Sequence, residues 1–286
     1  SAASDVYKRQ LFTYLPFFKM VQFSFYDMKY IGERKFVGLE NYIDVFTRDD
    51  CFNALKLSLY YMVGSVVQLA LALLFATILS FNPKGGSFFR GALYFPSLVC
   101  GIAVGFIFKY FYTHGFVLDS ILGLLGIPED MLPFWLKDTR INNWVLVASS
   151  IWRYMGQNMV LFIGAIASVD KTQYEAAAID GANAWHRFRY IILPSIRTIV
   201  VLNMILAISG SLSVFEIPYV ITDGGFGTST YFVLMDKLAH ANQKVGLASA
   251  MAVVLLVLIL VVSGIQKLAE KKMNSGVRVG KRRARK

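Results

Sequence analysis

An all-α, polytopic membrane helix bundle with six transmembrane helices is the fold class the sequence predicts, and three observations predict it. Of the 286 residues, 56% are hydrophobic and 15% aromatic, and the mean hydropathy is +0.53. A water-soluble domain of that length has no interior large enough to bury so much apolar side chain. The apolar residues fall into long stretches, and about 18 or more in a row are needed to cross the hydrocarbon of a bilayer. The basic residues concentrate on alternate connecting segments, the asymmetry that orients membrane helices.

The first span, 11–25, is short, contains Pro16 and Lys19, and follows the polar decamer SAASDVYKRQ. Two readings of it stand. In one it is the outer part of a truncated helix, with residues 1–10 non-native or disordered; in the other it is a natural short, tilted helix. The remaining spans are read at 55–79, 88–112, 144–168, 199–220 and 245–265. Segment 27–53 carries four basic against six acidic residues, and 113–143 carries two against four. The opposite segments hold Lys84, Arg90, Lys171, Arg187, Arg189, Arg197 and nine basic residues between Lys267 and Lys286. Both termini are therefore expected in the cytoplasm, with a single transmembrane domain over 11–268 and a basic cytoplasmic tail over 269–286. The net charge of +11 follows from that topology. Its partner is anionic membrane lipid rather than nucleic acid.

The polar stretch 168–197, SVDKTQYEAAAIDGANAWHRFRYIILPSIR, separates two apolar spans and is patterned like two short helices. Thr172 can cap the first, with Glu175 three residues on closing a capping box. Gly181 ends that helix, and Asn183 can cap a second. On the second, Trp185, Phe188 and Ile192 share one face until Pro194 interrupts the ladder. An amphipathic helix lying on lipid would favour a basic polar face, whereas the first helix carries Glu175 and Asp180.

Position by position, this stretch resembles the EAA loop of ABC importer membrane subunits: EAA, three residues, Gly, nine residues, Ile, one residue, Leu-Pro. Glu175, Ala176, Ala177, Gly181, Ile191, Leu193 and Pro194 hold those places. Asp180, Gly181 and Ala182 supply the DGA extension of the carbohydrate branch, while Thr198 stands where a further proline is common. FVGLENYIDVF at 36–46 resembles the first outer loop of sugar permeases, and VITDGGFGTST at 220–230 resembles a later one, with Phe226 in place of the usual proline. The resemblance runs over 16–272. It implies a type I ABC importer transmembrane domain that couples through the loop at 169–197. Implied partners are a second homologous permease, two ATP-binding subunits, an extracellular solute-binding protein and a sugar substrate. Glu175 is then a contact to the ATPase, and Asp180, unfavourably placed at a helix C-terminus, is expected to pair across the bend or across that interface.

The residues themselves support a transporter driven by another chain. No GxxxxGK[ST] phosphate loop occurs, so ATP hydrolysis is expected on a partner and the chain is not read as an enzyme. Polar groups inside spans are the substrate-path candidates, because an ionised group at the bilayer centre costs about 2.5–3.5 kcal/mol and has to face the bundle interior. They are Trp152, Arg153, Tyr154, Gln157 and Asn158 in one span, and Asn203, Ser209, Gly210, Ser211, Ser213 and Glu216 in the next. Such a set suits sugars, which offer C–H faces to aromatic rings and hydroxyls to donors and acceptors. Small residues also serve close helix packing, and that reading of the serines stays open. Arg153 lies about 15 Å into its span and needs a partner. Glu216 is the one acid inside a span, so a pair between the two, or a shared polar cavity, is expected. Cys51 and Cys100 suit neither a disulfide nor a metal, His114, His186 and His240 are scattered, and no cofactor is implied. An ion-coupled secondary transporter, which would show inverted repeats and several intramembrane carboxylates, and an ABC permease for a non-sugar solute are the alternatives.

Overall fold

The computed structural model describes residues 2–81 and 84–283, with side chains over 11–81 and 84–271. Along the chain come α1 (Ala2–Phe23), a hairpin of β1 (Tyr26–Met28) and β2 (Arg34–Phe36), α2 (Glu40–Thr47), α3 (Asp49–Ser80), α4 (Gly86–Leu98), α5 (Gly101–Tyr112) and α6 (Val117–Leu124). There follow α7 (Asn142–Ala167), α8 (Lys171–Ile179), α9 (Ala184–Arg187), α10 (Leu193–Ser211), α11 (Glu216–Thr222), α12 (Tyr231–Asp236) and α13 (Val245–Arg283). Residues 2–10 enter α1 and the basic tail continues α13 to Arg283 as helical backbone, while Ser1 and residues 284–286 lie outside the described residues. The chain divides into two compact units, 1–58 with 229–286, and 59–228.

In the first unit α13 packs against α1, α2 and β1. The hairpin is antiparallel, pairing Tyr26 with Phe36 and Met28 with Arg34. Asn41, within the GLENY stretch, is buried and ties the two pieces together: its Nδ2 donates to the Ser24 carbonyl at 2.9 Å and to the Tyr26 carbonyl at 3.0 Å. Gly246 at the start of α13 lies so close to the Tyr26 carbonyl that a Cβ would overlap it. Leu11, Phe12, Leu15 and Phe18 of α1 all face outward. A bilayer tolerates such a face and water does not.

In the second unit, Leu69, Ala72, Ala76 and Leu79 of α3 recur at three- and four-residue spacing. They meet Met159, Phe162, Ala165 and Ile166 of α7 together with Ile192 and Ile196. A separate cluster joins Tyr61, Val104, Leu146, Val147, Ile217 and Ile221. Arg90 of α4 donates to the carbonyl of Leu79 and so caps the C-terminus of α3.

Several expectations change. The stretch 88–112 is not one straight span: α4 and α5 meet at 100° across Val99 and Cys100, both extended. Pro96 near the end of α4 lacks an amide hydrogen, and the helix breaks three residues later. Pro194, in contrast, ends nothing. Phe188–Ile192 is a π-helical turn that runs into α10, with the Leu193 amide donating to the Phe188 carbonyl. The wider turn accommodates the proline, and the helix continues. Among the described residues, three helical stretches, Asp49–Ser80, Ala184–Thr222 and Val245–Lys271, are long and apolar enough to cross a membrane, and the bent pair, counted as one span, brings the number to four. Lys19 and Pro16 in α1, and Arg153, Gln157 and Asn158 in α7, lower the apolar character of the two helices that would complete six.

Candidate functional site: a polar cavity and an exposed capped helix

Two places in the second unit gather the residues singled out from the sequence. The first is a cavity of about 640 Å³ between α3, α7, α10 and the start of α11. Tyr154, Gln157, Asn158, Ser211, Ser213 and Glu216 line it, as do Asn203 and Gly210. Trp152, Arg153 and Ser209 do not. Trp152 stacks edge-on against Phe108 with ring centroids 5.2 Å apart, Arg153 sits behind Glu216, and Ser209 stands on α10 away from the lining.

The wall on α3 was not anticipated. Tyr61, Ser65 and Gln68 recur at four and three residues, so one face of α3 turns them together into the cavity. That spacing is present in the sequence but lies within a strongly apolar helix, where it reads as tolerated polarity. Tyr61 is 4% exposed, and its hydroxyl has no hydrogen-bond partner among the described residues.

The serine hydroxyls around the cavity are turned toward their own backbone. Ser65, Ser150, Ser211 and Ser213 each donate their hydroxyl proton to a carbonyl of their own helix or turn, at 2.8, 3.3, 2.6 and 3.2 Å. Asn158 and Asn203 donate one amide proton each to the carbonyls of Tyr154 and Ile199, at 3.3 and 2.8 Å. The serines retain acceptor capacity only, while each asparagine keeps a second amide proton as well as its carbonyl. Glu216 adds a carboxylate. Its Oε2 accepts from Nη1 of Arg153, and the guanidinium also lies 4.9 Å from the Tyr154 ring centroid. Gly101, the first residue of α5, sits against this pair, and a Cβ there would overlap both Glu216 and Arg153.

The second place is α8 and the turn after it. Its cap is Asp170 rather than Thr172: the Asp170 carboxylate accepts from the Thr172 amide at 3.0 Å, which puts Thr172 inside the first turn and leaves Glu175 exposed and outside any capping box. That backbone hydrogen bond holds the Asp170 carboxyl below the usual carboxylate range. Gly181 adopts φ +71, and the amides of Gly181 and Ala182 donate to the carbonyls of Ala178 and Ala177 at 3.2 and 2.9 Å, a Schellman ending. Asn183 caps α9 by accepting from the His186 amide at 2.9 Å. Arg187 Nε donates to the Ala182 carbonyl at 3.1 Å and braces the bend.

Tyr174 packs against Phe81 and the core beneath. Glu175, Ala176, Asp180 and Gly181 are exposed, and Ala177 and Ala182 are half-buried. Asp180 forms no ion pair among the described residues, so pairing across the bend is not found. Ile179 and Trp185 are 87% and 65% exposed, so the stretch carries apolar as well as acidic surface. Leu193 and Pro194 lie in the continuing helix, half-buried and exposed respectively.

Compared with known proteins, residues 68–275 match the family described as binding-protein-dependent transport system inner membrane component. A probable starch degradation products transport system permease of Thermoanaerobacterium thermosulfurigenes is 29% identical over 88% of this chain and 86% of its own. An osmoprotective compounds uptake permease of Synechocystis is 31% identical over 86% of this chain and 88% of its own. Among solved structures, a chain of a bacterial alginate ABC transporter in complex with a periplasmic protein bound to an alginate pentasaccharide superposes with a TM-score of 0.84. It is 19% identical and covers 95% of this chain and 93% of its own.

Proposed function

The chain belongs to the binding-protein-dependent transport system inner membrane components, and from that premise we propose that it forms half of the translocation path of an importer for a sugar or oligosaccharide. It is a membrane-embedded permease of the ABC type and not itself an enzyme; that family membership also displaces the ion-coupled alternative. The observation that carries the sugar reading is the cavity, where Tyr154 offers a ring face and Gln68, Gln157, Asn158 and Asn203 offer amides within one 640 Å³ space. Saccharides match that mixture of apolar faces and closely spaced hydroxyls. The starch-product permease among its relatives agrees with it.

Work is done on the path from the cytoplasmic side. ATP-driven closure of two partner ATPases moves the docked α8, and the bundle passes between inward-open and outward-open states around the bound cargo. A second, similar permease completes the path, an extracellular binding protein delivers the cargo, and both termini lie in the cytoplasm. Support for the coupling role comes from α8 itself: a helix held at both ends by Asp170 and Gly181 transmits force without fraying.

Reconstituted with its second permease, ATPase and binding protein, the chain is expected to show ATP-dependent saccharide uptake. Gly181→Trp, placed at φ +71, is expected to reduce copurification of the ATPase by about tenfold or more. Full ATPase recovery with Gly181→Trp would move the contact elsewhere. The likeness to an osmoprotective-compound permease favours a second reading in which the cargo is a smaller osmoprotective solute. A binding panel on the partner binding protein separates the two.

A further inference from the structure

Resting on that reading, we infer that the cavity selects uncharged saccharides and rejects acidic ones, and that Glu216 is the residue that sets this preference. Two independent features of the wall point the same way.

The first is charge. Among the described residues that line the cavity there is no Lys, Arg or His, and Glu216 is the one charged group. Its side chain is 45% exposed, whereas that of Arg153 is 13% exposed and stands outside the lining. Arg153 gives Nη1 to Glu216 and its guanidinium face to Tyr154. A solute in the cavity therefore meets the carboxylate and not the cation. An acidic sugar would bring a second carboxylate beside Glu216 into a space whose lining carries no cation among the described residues, and like charges a few ångströms apart repel.

The second feature is the direction of the hydrogen bonds. The protons of Ser65, Ser150, Ser211 and Ser213 are engaged by backbone carbonyls, which leaves lone pairs facing the cargo. Hydroxyl groups of a neutral sugar are donors and satisfy them. A carboxylate is an acceptor only, so replacing a hydroxymethyl group with a carboxylate turns matched contacts into acceptor facing acceptor. Tyr61 adds an otherwise unpartnered hydroxyl beside these groups. The amides of Gln68, Gln157, Asn158 and Asn203 and the hydroxyl of Tyr154 also keep protons to give, but these donors are uncharged and serve a hydroxyl as well as a carboxylate, so the discrimination falls to Glu216.

Arg153 also predicts what removing Glu216 does. Its Nε is buried without a hydrogen-bond partner, so the guanidinium loses its main anchor in Glu216→Gln and becomes available to an anion. The preference should then collapse or invert. In Arg153→Gln/Glu216→Gln both charges go, and only the acceptor pattern of the serines remains.

The test is equilibrium binding to the assembled transporter in nanodiscs with the binding protein left out, so that the permease path is read directly. Maltotriose, xylotriose and arabinotriose serve as neutral probes and trigalacturonate as the acidic probe. The wild type should bind at least one neutral trisaccharide about tenfold or more tightly than trigalacturonate. Glu216→Gln should bring the two within about threefold of each other or reverse them, with the double variant falling between. The double variant leaves no unpaired charge, so it carries the comparison if the single one does not assemble. Equal or tighter binding of trigalacturonate by the wild type overturns the inference and leaves the sugar reading standing. So does a ratio unchanged in both variants. Failure of every saccharide to bind overturns the sugar reading and this inference with it.

Discussion

Phe226 shows how much one side chain's backbone angle decides. It sits at φ +52, in the left-handed region that costs an L-residue about 1–2 kcal/mol. The resembling loops carry proline at this place, and proline's ring fixes φ near −65°, so the loop here has taken a course closed to that residue. It is held there by Asn142, whose Nδ2 donates to the Phe226 carbonyl at 2.8 Å, by Asn143, which donates to the Gly227 carbonyl at 3.2 Å, and by the 2.6 Å contact between the hydroxyls of Thr222 and Thr228. Phe226→Pro is expected to destabilise the protein by about 1–3 kcal/mol and Phe226→Gly to stabilise it by about 1 kcal/mol. Thermal unfolding in detergent reads both, and a stabilising proline would contradict the geometry. Asp119 is a second case. Burial pushes its carboxyl up, but the Gly115 amide and the Trp135 indole, each 2.7 Å away, together with His114, hold it below the usual range. A depressed value in the fold means that its contribution is complete above about pH 4 and is lost as pH falls through the folded value. Asp119→Ala should cost about 1–3 kcal/mol at neutral pH and remove part of the acid sensitivity of unfolding. Unchanged acid sensitivity would assign that sensitivity to other carboxyls.

Helices in this chain touch where glycine allows it. Gly156 of α7 lies against the backbone of α4 so closely that a Cβ would overlap the Leu93 carbonyl, whereas Gly164 on the same helix has open space around its Cβ direction. Backbone cannot rotate aside as a side chain does. Gly156→Ala should therefore destabilise by about 1–3 kcal/mol, and Gly164→Ala should leave stability unchanged or raise it by up to about 1 kcal/mol. A thermal-shift comparison of the two variants decides it, and equal effects would contradict close packing of α4 on α7. The breaks in the helices were legible in part. Pro96 and Pro194 are both plain in the sequence, yet one precedes a 100° bend and the other is absorbed by a π turn. A proline removes one hydrogen bond in either setting. Whether the chain then bends depends on what packs around it, and here Ile192 and Ile196 are held in the core on both sides of Pro194.

For the whole molecule, span count and sidedness are coupled, because each added crossing exchanges inside for outside. In a background with Cys51 and Cys100 replaced by alanine, Ile179→Cys and Leu124→Cys would place thiols at positions 87% and 89% exposed. With α8 in the cytoplasm, an impermeant maleimide should label Leu124→Cys from outside and Ile179→Cys only after the membrane is opened. Labelling of both from one side would overturn the topology. Much at this scale was legible beforehand: the apolar excess, the charge asymmetry and the stretch around Glu175 and Gly181 each rest on local composition or local dihedral need. The cavity was legible by halves. Tyr154, Gln157, Asn158 and Glu216 stand out as polar groups in apolar spans, while Tyr61, Ser65 and Gln68 do not, since their shared face matters only once α3 is set against α7 and α10.

The sequence by itself determined that the chain is helical and membrane-embedded and that a short helix ends at Gly181, whereas its cap at Asp170 rather than Thr172 came from the structure. Hydropathy, charge and the conformational freedom of glycine are properties of residues and their near neighbours. Tertiary structure alone decided that Glu216 faces the cavity while Arg153 stands behind it, that Tyr61, Ser65 and Gln68 share that cavity with α7 and α10, and that residues 88–112 form two helices. Those outcomes depend on which surfaces meet across tens to more than a hundred residues of chain, and no local pattern encodes that meeting.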